Sequence, residues 1–385
     1  MRRFRALPAF AVVVIVALTA CVSSDNTRRP IYEYGPGHQI KGIRGFEKSE
    51  QEKDTVTLNK ASIPLTLIWS LALAEGRAGA PLTEEWTPRV AYPVNPGTVT
   101  SLVAVVSGAA EGDAADVESM TYLLDASSNQ RILFLDDRAG GMTGSLDLGP
   151  ATYLDMALAP DQSTLLLVGE GPEGGQEALL VDARRRVLLQ RVAFPANVNP
   201  HRVTLSPDGG SAYIAVWDGP KGGQFDATKT RIVELDMTTL AFRDADVELP
   251  GSFRVDALAM HPSGELLFAT TNDFKLHFLD LRTMTVAKSV LGSGRLAVHP
   301  SGDRVYAGSG VRRIWVFDVA TATQTGVFAF DGAGMDDIRM AIDPTGAFLV
   351  ATTRLSPDVI VLDADSGEQM ASTTFADGKG LIELY

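Results

Sequence analysis

Three arginines, Arg202, Arg295 and Arg339, each stand five residues before a proline that recurs along the chain. The same position holds Asp155 and Ala257 ahead of two further copies of that proline. A guanidinium presents planar donors matched to carboxylate or phosphate, so three of them around one opening would make an anion site. Nearby acids, among them Asp155, Asp256, Asp336 and Asp337, offer a competing use, as ion-pair partners that fix the register of neighbouring elements. His201 directly precedes Arg202 and is the residue type suited to general acid or base work beside it. Trp217 opens a glycine-rich stretch running to Lys229, a candidate contact surface for a ligand or partner.

The elements that must position these residues are repeats. The five prolines belong to the segments Met156-Ala-Leu-Ala-Pro160, Val203-Thr-Leu-Ser-Pro207, Leu258-Ala-Met-His-Pro262, Leu296-Ala-Val-His-Pro300 and Met340-Ala-Ile-Asp-Pro344. They lie 47, 55, 38 and 44 residues apart, the period of a four-stranded propeller blade. Each unit reads as an apolar strand a, a Pro-x-Gly-like turn, a strand b, a strand c ending in Asp, and a strand d. Proline presets φ for the turn, and glycine accepts a positive φ without steric cost. The strand c aspartates, Asp182, Asp236, Asp280, Asp318 and Asp363, are expected to close the next turn by accepting amides two residues on.

An earlier unit with strand c ending at Asp136 brings the number to six. The C-terminal Gly380-Leu-Ile-Glu-Leu-Tyr385 falls where another strand a belongs, and pairing it with strands from residues 55 to 92 would close a seventh blade. The expected fold is therefore all-β: a β-propeller over residues 55–385, taken as seven-bladed and closed by its N- and C-terminal strands. Six or eight blades remain open, because Ile63 to Ala74 reads equally as a buried helix segment. With strands a lining the channel, the three arginines, Asp155 and His201 should gather at one mouth, beside the loops Gly171 to Glu177 and Trp217 to Lys229. His261 and His299 share one repeat position, before the turn proline, and read as turn architecture.

With 34 basic against 47 acidic residues in 385 and a formal charge of -13, no nucleic-acid partner is expected. At the N-terminus, Arg2, Arg3 and Arg5 precede an apolar run from Ala6 to Ala17, and Leu18-Thr19-Ala20-Cys21 follows. This resembles the lipobox of a bacterial lipoprotein. The resemblance implies that residues 1–20 are a removed signal peptide and that Cys21 is lipidated. Val22 after it implies an outer-membrane anchor facing the periplasm. Residues 21–54 are polar and breaker-rich and read as a flexible tether. Cys21 is the chain's one cysteine, so no intrachain disulfide supports the fold.

Three stretches, Pro207-Asp-Gly-Gly-Ser-Ala-Tyr-Ile-Ala-Val, Pro262-Ser-Gly-Glu-Leu-Leu-Phe-Ala-Thr-Thr-Asn and Pro300-Ser-Gly-Asp-Arg-Val-Tyr-Ala-Gly, resemble the YVTN-type repeats of lactonase-like propellers. Lactonase-like propellers use histidine, arginine and acidic side chains in a central cleft, which the resemblance carries over to His201 and Arg202. The rest of that constellation has no match here, so a lactonase-like hydrolase stands second to a binding or scaffold module. A quinoprotein-like redox propeller stands third, since the four tryptophans show no blade period. Neither a Cys-x-x-Cys-His haem motif nor a Gly-x-Ser-x-Gly elbow occurs. Asp363-Ala-Asp365-Ser-Gly367-Glu368 lacks the later glutamate of a calcium loop. No cofactor or metal is expected. The expected partners are the membrane through the lipid, an envelope protein, and a small anionic ligand.

Overall fold

In a computed structural model of the chain, the first part is described as the strands Val16–Thr19, Arg28–Tyr34, Ile40–Lys48, Thr66–Trp69, Pro88–Tyr92, Val99–Ser107 and Glu118–Asp125. Beyond these the structure describes residues 129–136, 141–220, 230–249, 251, 254–309, 313–329, 338–342, 346–353, 358–374 and 379–382. Among the described residues there is no helix, and six four-stranded antiparallel sheets follow one another along the chain. In each the strand order equals the chain order, as a blade requires.

Blade 1 comprises Val99–Ser107, Glu118–Asp125, Gln130–Asp136 and Gly141–Gly149. Blade 2 runs through Thr152–Leu158, Thr164–Glu170, Gln176–Asp182 and Val187–Ala193, and blade 3 through Val198–Leu205, Ser211–Asp218, Thr230–Asp236 and Phe242–Glu248. Blade 4 is Val255–Met260, Leu266–Thr271, Lys275–Asp280 and Thr285–Leu291. Blade 5 is Leu296–Val298, Arg304–Ser309, Arg313–Asp318 and Thr323–Ala329, and blade 6 is Ile338–Ile342, Phe348–Thr353, Asp358–Asp363 and Gln369–Thr374. The four strands of each blade are called a to d. Strands a of successive blades lie side by side as the inner strands.

The core sits between blades. Leu165, Leu167, Leu179 and Val181 of blade 2 pack on blade 1, while Leu166, Val168, Ala178 and Leu180 pack on blade 3. Strands b and c are therefore apolar on both faces, which explains their near-continuous hydrophobic runs. Strands d are outermost; Val187–Ala193 is exposed at nearly every residue.

The expected aspartate turns are present. Asp182 accepts the amides of Arg184 and Arg185, Asp236 those of Thr238 and Thr239, and Asp363 those of Asp365 and Ser366, all within 2.7–3.1 Å. The same turns place the fourth residue after the aspartate in the left-handed region, at Arg186, Leu240, Met284, Ala322 and Gly367. These amides hold the Asp236 and Asp363 carboxyls below the usual carboxylate range.

His261 and His299 do more than turn the chain. His261 Nδ1 accepts the Ser263 amide at 3.0 Å, so in the neutral ring Nε2 carries the hydrogen and donates it to Gly302 O of the next blade at 2.9 Å. His299 repeats the arrangement with Ser301 and with Gly346 of blade 6, at 3.2 and 3.1 Å. Each histidine is thus a clasp between consecutive blades. Replacing His261 by Ala leaves the Gly302 carbonyl and the Ser263 amide without these partners. A loss of about 1–2 kcal/mol is expected, read as a shift of the urea midpoint.

Toward the termini, Lys379–Ile382 is a strand, as expected of the C-terminal segment, but its hydrogen-bonded partner is Val16–Thr19. Thr66–Trp69 and Pro88–Tyr92, from the stretch expected to receive it, pair with each other. Within residues 21–54, Arg28–Tyr34 and Ile40–Lys48 form a hairpin flanking Gly35-Pro36-Gly37.

Candidate functional site at the channel mouth

In blades 2 to 4 the residues five before the proline, Asp155, Arg202 and Ala257, stand inside strand a, immediately after an irregularity that recurs. In blades 1 to 4 the a–b register skips one residue, between Val99 and Ser101, Tyr153 and Asp155, Pro200 and Arg202, and Val255 and Ala257. The bulged residue in blade 3 is His201. Pro200, which has no amide to donate, precedes it as a bulge allows. A bulge re-aims the side chains around it, and here it turns those residues toward the neighbouring blade.

Asp155 reaches forward from blade 2 and accepts the Val203 amide of blade 3 at 3.0 Å. Arg202 is half-buried; its Nε donates to Asp256 O of blade 4 at 2.9 Å and its Nη1 to His201 O at 2.8 Å. Among the described residues no carboxylate lies within ion-pair distance of Arg202. Asp256, one of the acids considered for that role, pairs instead with Arg254 at 2.9 Å. The Arg202 charge is thus held by two backbone carbonyls, which orient the guanidinium without neutralising it.

His201 is 5% exposed. Its Nε2 accepts the Val255 amide at 3.2 Å, so the neutral ring carries its hydrogen on Nδ1, where a hydrogen-bond partner is lacking among the described residues. Burial, reinforced by the Arg202 charge, pushes its pKa down to about 3. With its one lone pair committed to Val255, the ring has no free basic nitrogen to offer a substrate. The geometry makes His201 a neutral strut between blades 3 and 4.

Arg295 stands immediately before strand a of blade 5, and Arg339 lies on strand a of blade 6. Arg295 is half-buried and its carbonyl accepts the Gly308 amide at 2.9 Å. Arg339 pairs through its backbone with Thr352, in the register by which Arg202 opposes Ala215; its side chain lies outside the described residues. Ala257 of blade 4 separates Arg202 from the other two along the ring. Trp217, at the end of strand b in blade 3, packs its ring against Gly219, and its carbonyl accepts Asn199 Nδ2 at 3.2 Å. The same Asn199 amide lies 2.9 Å from Gly219 O, anchoring the entry to the long loop. Residues 221–229 of that loop lie outside the described residues. The Gly171 to Glu177 loop folds on itself through Gly171 and Gly175, and Glu177 bonds Tyr153 Oη and Arg191. Burial and the Glu177 carboxylate raise the Tyr153 pKa.

Sequence reasoning left a second polar group without a role: His277 of blade 4, with Thr271, Asp273 and Ser289. His277 is 2% exposed and contacts Ser289 across strands c and d. Two residues twelve apart become neighbours only once that register is known, and the register is Cα-paired His277 with Ser289.

Six four-stranded antiparallel sheets in chain order define a β-propeller protein. No protein-family model matches the sequence, and no curated protein matches it. Among solved structures it is similar to the Kuenenia stuttgartiensis hydrazine synthase, which contains a β-propeller. The identity is 19%, 64% of this chain and 74% of that one are covered, and the TM-score is 0.50. A likeness at that identity concerns the fold alone.

Proposed function

We propose that the chain is a cell-envelope lipoprotein, lipidated at Cys21, whose YVTN-like propeller binds an acidic protein surface or a small anion at the channel mouth. The carrying observation is Arg202: a half-buried guanidinium oriented by the Asp256 and His201 carbonyls, with no carboxylate within ion-pair distance among the described residues. Oriented donors lose little freedom when an anion arrives, so such a site binds through preorganisation. Arg295 and Arg339, at the same repeat position, would widen the positive ring. The committed lone pair of His201 favours binding over lactone hydrolysis at this mouth.

In the mature lipoprotein, Val16–Thr19 would leave with the signal, and Lys379–Ile382 would take a new neighbour. Two measurements test the reading. Acyl label should enter the wild-type protein and not Cys21→Ser. In folded protein, Arg202→Ala with Arg295→Ala should weaken capture of envelope partners and of dicarboxylate ligands at least tenfold. Wild-type affinity for all of them in the double variant would overturn the anion site.

A further inference from the structure

We propose that Ser289 is the nucleophile of an ester-hydrolysing site in the groove between blades 3 and 4, activated by His277 through a hydrogen-bond chain that ends on Asp273. The groove has a volume of about 440 Å3 and lies on the flank of the propeller, outside the channel. Val247 of blade 3 and Met284 and Val286 of blade 4 form an apolar wall, with Glu248 and Lys275 at its polar edge.

The direction of every hydrogen in the chain follows from counting donors. Thr271 Oγ1 has one hydrogen, and its shortest acceptor is Asp273 Oδ1 at 2.6 Å, with Lys275 O farther away at 3.3 Å. Thr271 Oγ1 must therefore accept in its 3.2 Å contact with His277 Nε2. That places the imidazole hydrogen on Nε2 and a lone pair on Nδ1, which is 2.8 Å from Ser289 Oγ. Ser289 donates to His277, His277 to Thr271, and Thr271 to Asp273. This is the ordering that activates a serine: an oriented base on the hydroxyl and a carboxylate behind the base, here through one intervening hydroxyl. Thr271 and His277 are buried, while Ser289 is exposed, so the base is shielded and the nucleophile accessible.

The balanced reaction is ester plus water giving acid plus alcohol. Ser289 Oγ forms a bond to the ester carbonyl carbon, and its proton passes to His277 Nδ1. Lys275 lines the same groove two residues before His277 on the same strand face; its Nζ is paired with Asp273 Oδ2 at 2.6 Å and would exchange that carboxylate for the developing oxyanion. The C–O bond to the alcohol then breaks, and the leaving oxygen takes the proton from His277. Water repeats the sequence on the acyl-serine, releasing the acid and restoring Ser289. The apolar wall suits a short hydrophobic acyl group. Burial lowers the His277 pKa to about 4, so the ring is unprotonated at neutral pH but a weak base, and turnover should be slow.

The test uses the full chain, a fluorophosphonate probe and p-nitrophenyl butyrate. Stoichiometric labelling that peptide mass spectrometry maps to Ser289 is the expected result, with labelling abolished and ester hydrolysis reduced at least 100-fold in Ser289→Ala. His277→Asn should reduce both rates at least tenfold while far-ultraviolet dichroism stays unchanged. Thr271→Val, which acts through His277, should shift the pH profile of hydrolysis and leave KM unaltered. Folded wild-type protein that takes no label on Ser289, or hydrolysis that survives Ser289→Ala, overturns the proposal.

Discussion

Lowering the pH from 7 to 5 is expected to remove about 3–4 kcal/mol of folding stability, most of it through His201 and His277. Both rings have pKa values pushed below the ordinary 6.5, to about 3 and about 4, chiefly by burial. The unfolded chain therefore binds protons on these side chains as the pH falls through 6.5, and the folded chain does not. Stability is fully present above 6.5 and drains as the pH drops toward the folded values. At pH 5 the unfolded form of His201 is favoured by about 1.5 pH units' worth of proton binding, or about 2 kcal/mol at roughly 1.4 kcal/mol per unit. His277 adds somewhat less, because the groove beside it admits solvent.

The aspartates do not contribute in this window: the lowered carboxyls, Asp236 and Asp363 among them, lose their stabilising hydrogen bonds only below their ordinary value of 3.8. Urea melts at pH 7 and pH 5 measure the difference, and His201→Leu should remove about half of it. Equal midpoints at the two pH values in the wild type would show that the rings are not buried as described.

Gly294→Ala carries the second large effect. Gly294 sits just before strand a of blade 5 with φ of +84°, a conformation that side chains disfavour. An added methyl would also collide with the Gly308 carbonyl on the adjoining strand b, a backbone atom that cannot swing aside. The displaced segment would in addition strain the 2.6 Å hydrogen bond from Thr270 Oγ1 of blade 4 to Gly294 O. About 1 kcal/mol for the dihedral and about 2–3 kcal/mol for the overlap make a loss near 4 kcal/mol, a large part of the stability of an ordinary domain. Because Arg295 is the next residue, the same change should also misplace one candidate anion ligand. Thermal melts and the dicarboxylate assay together would register both consequences, whereas an unchanged melt would show that the turn relaxes freely.

Much of the architecture was legible because it repeats. The turn prolines and the strand c aspartates recur from blade to blade, His261 and His299 share one position in two successive blades, and a recurring residue reports the backbone it serves. Four-stranded blades follow from that period, and six are described. What the repeat could not convey is what one blade does to the next. The Gly302 carbonyl is 41 residues from His261, and nothing in the local sequence links them. The bulge at His201 likewise depends on strand pairing, so a histidine that reads as an acid–base candidate near the channel mouth is a neutral strut. For Arg202 the spacing placed the residue on strand a, but at its fifth position rather than its start, and its partners are carbonyls, which every residue carries and no composition reveals. His277 and Ser289 stayed hidden for the same reason: their proximity is a property of the c–d register.

Most clasps between blades share a direction, Arg186 of blade 2, which reaches back to Thr143 of blade 1, being an exception. Asp155 grips blade 3, Arg202 grips blade 4, Thr270 and His261 grip blade 5, and His299 and Tyr306 grip blade 6, each reaching toward a blade that is synthesised later. A growing chain therefore always ends in a blade whose forward grips are empty. These grips favour assembly in chain order, in which a blade gains part of its hold only once its successor folds against it.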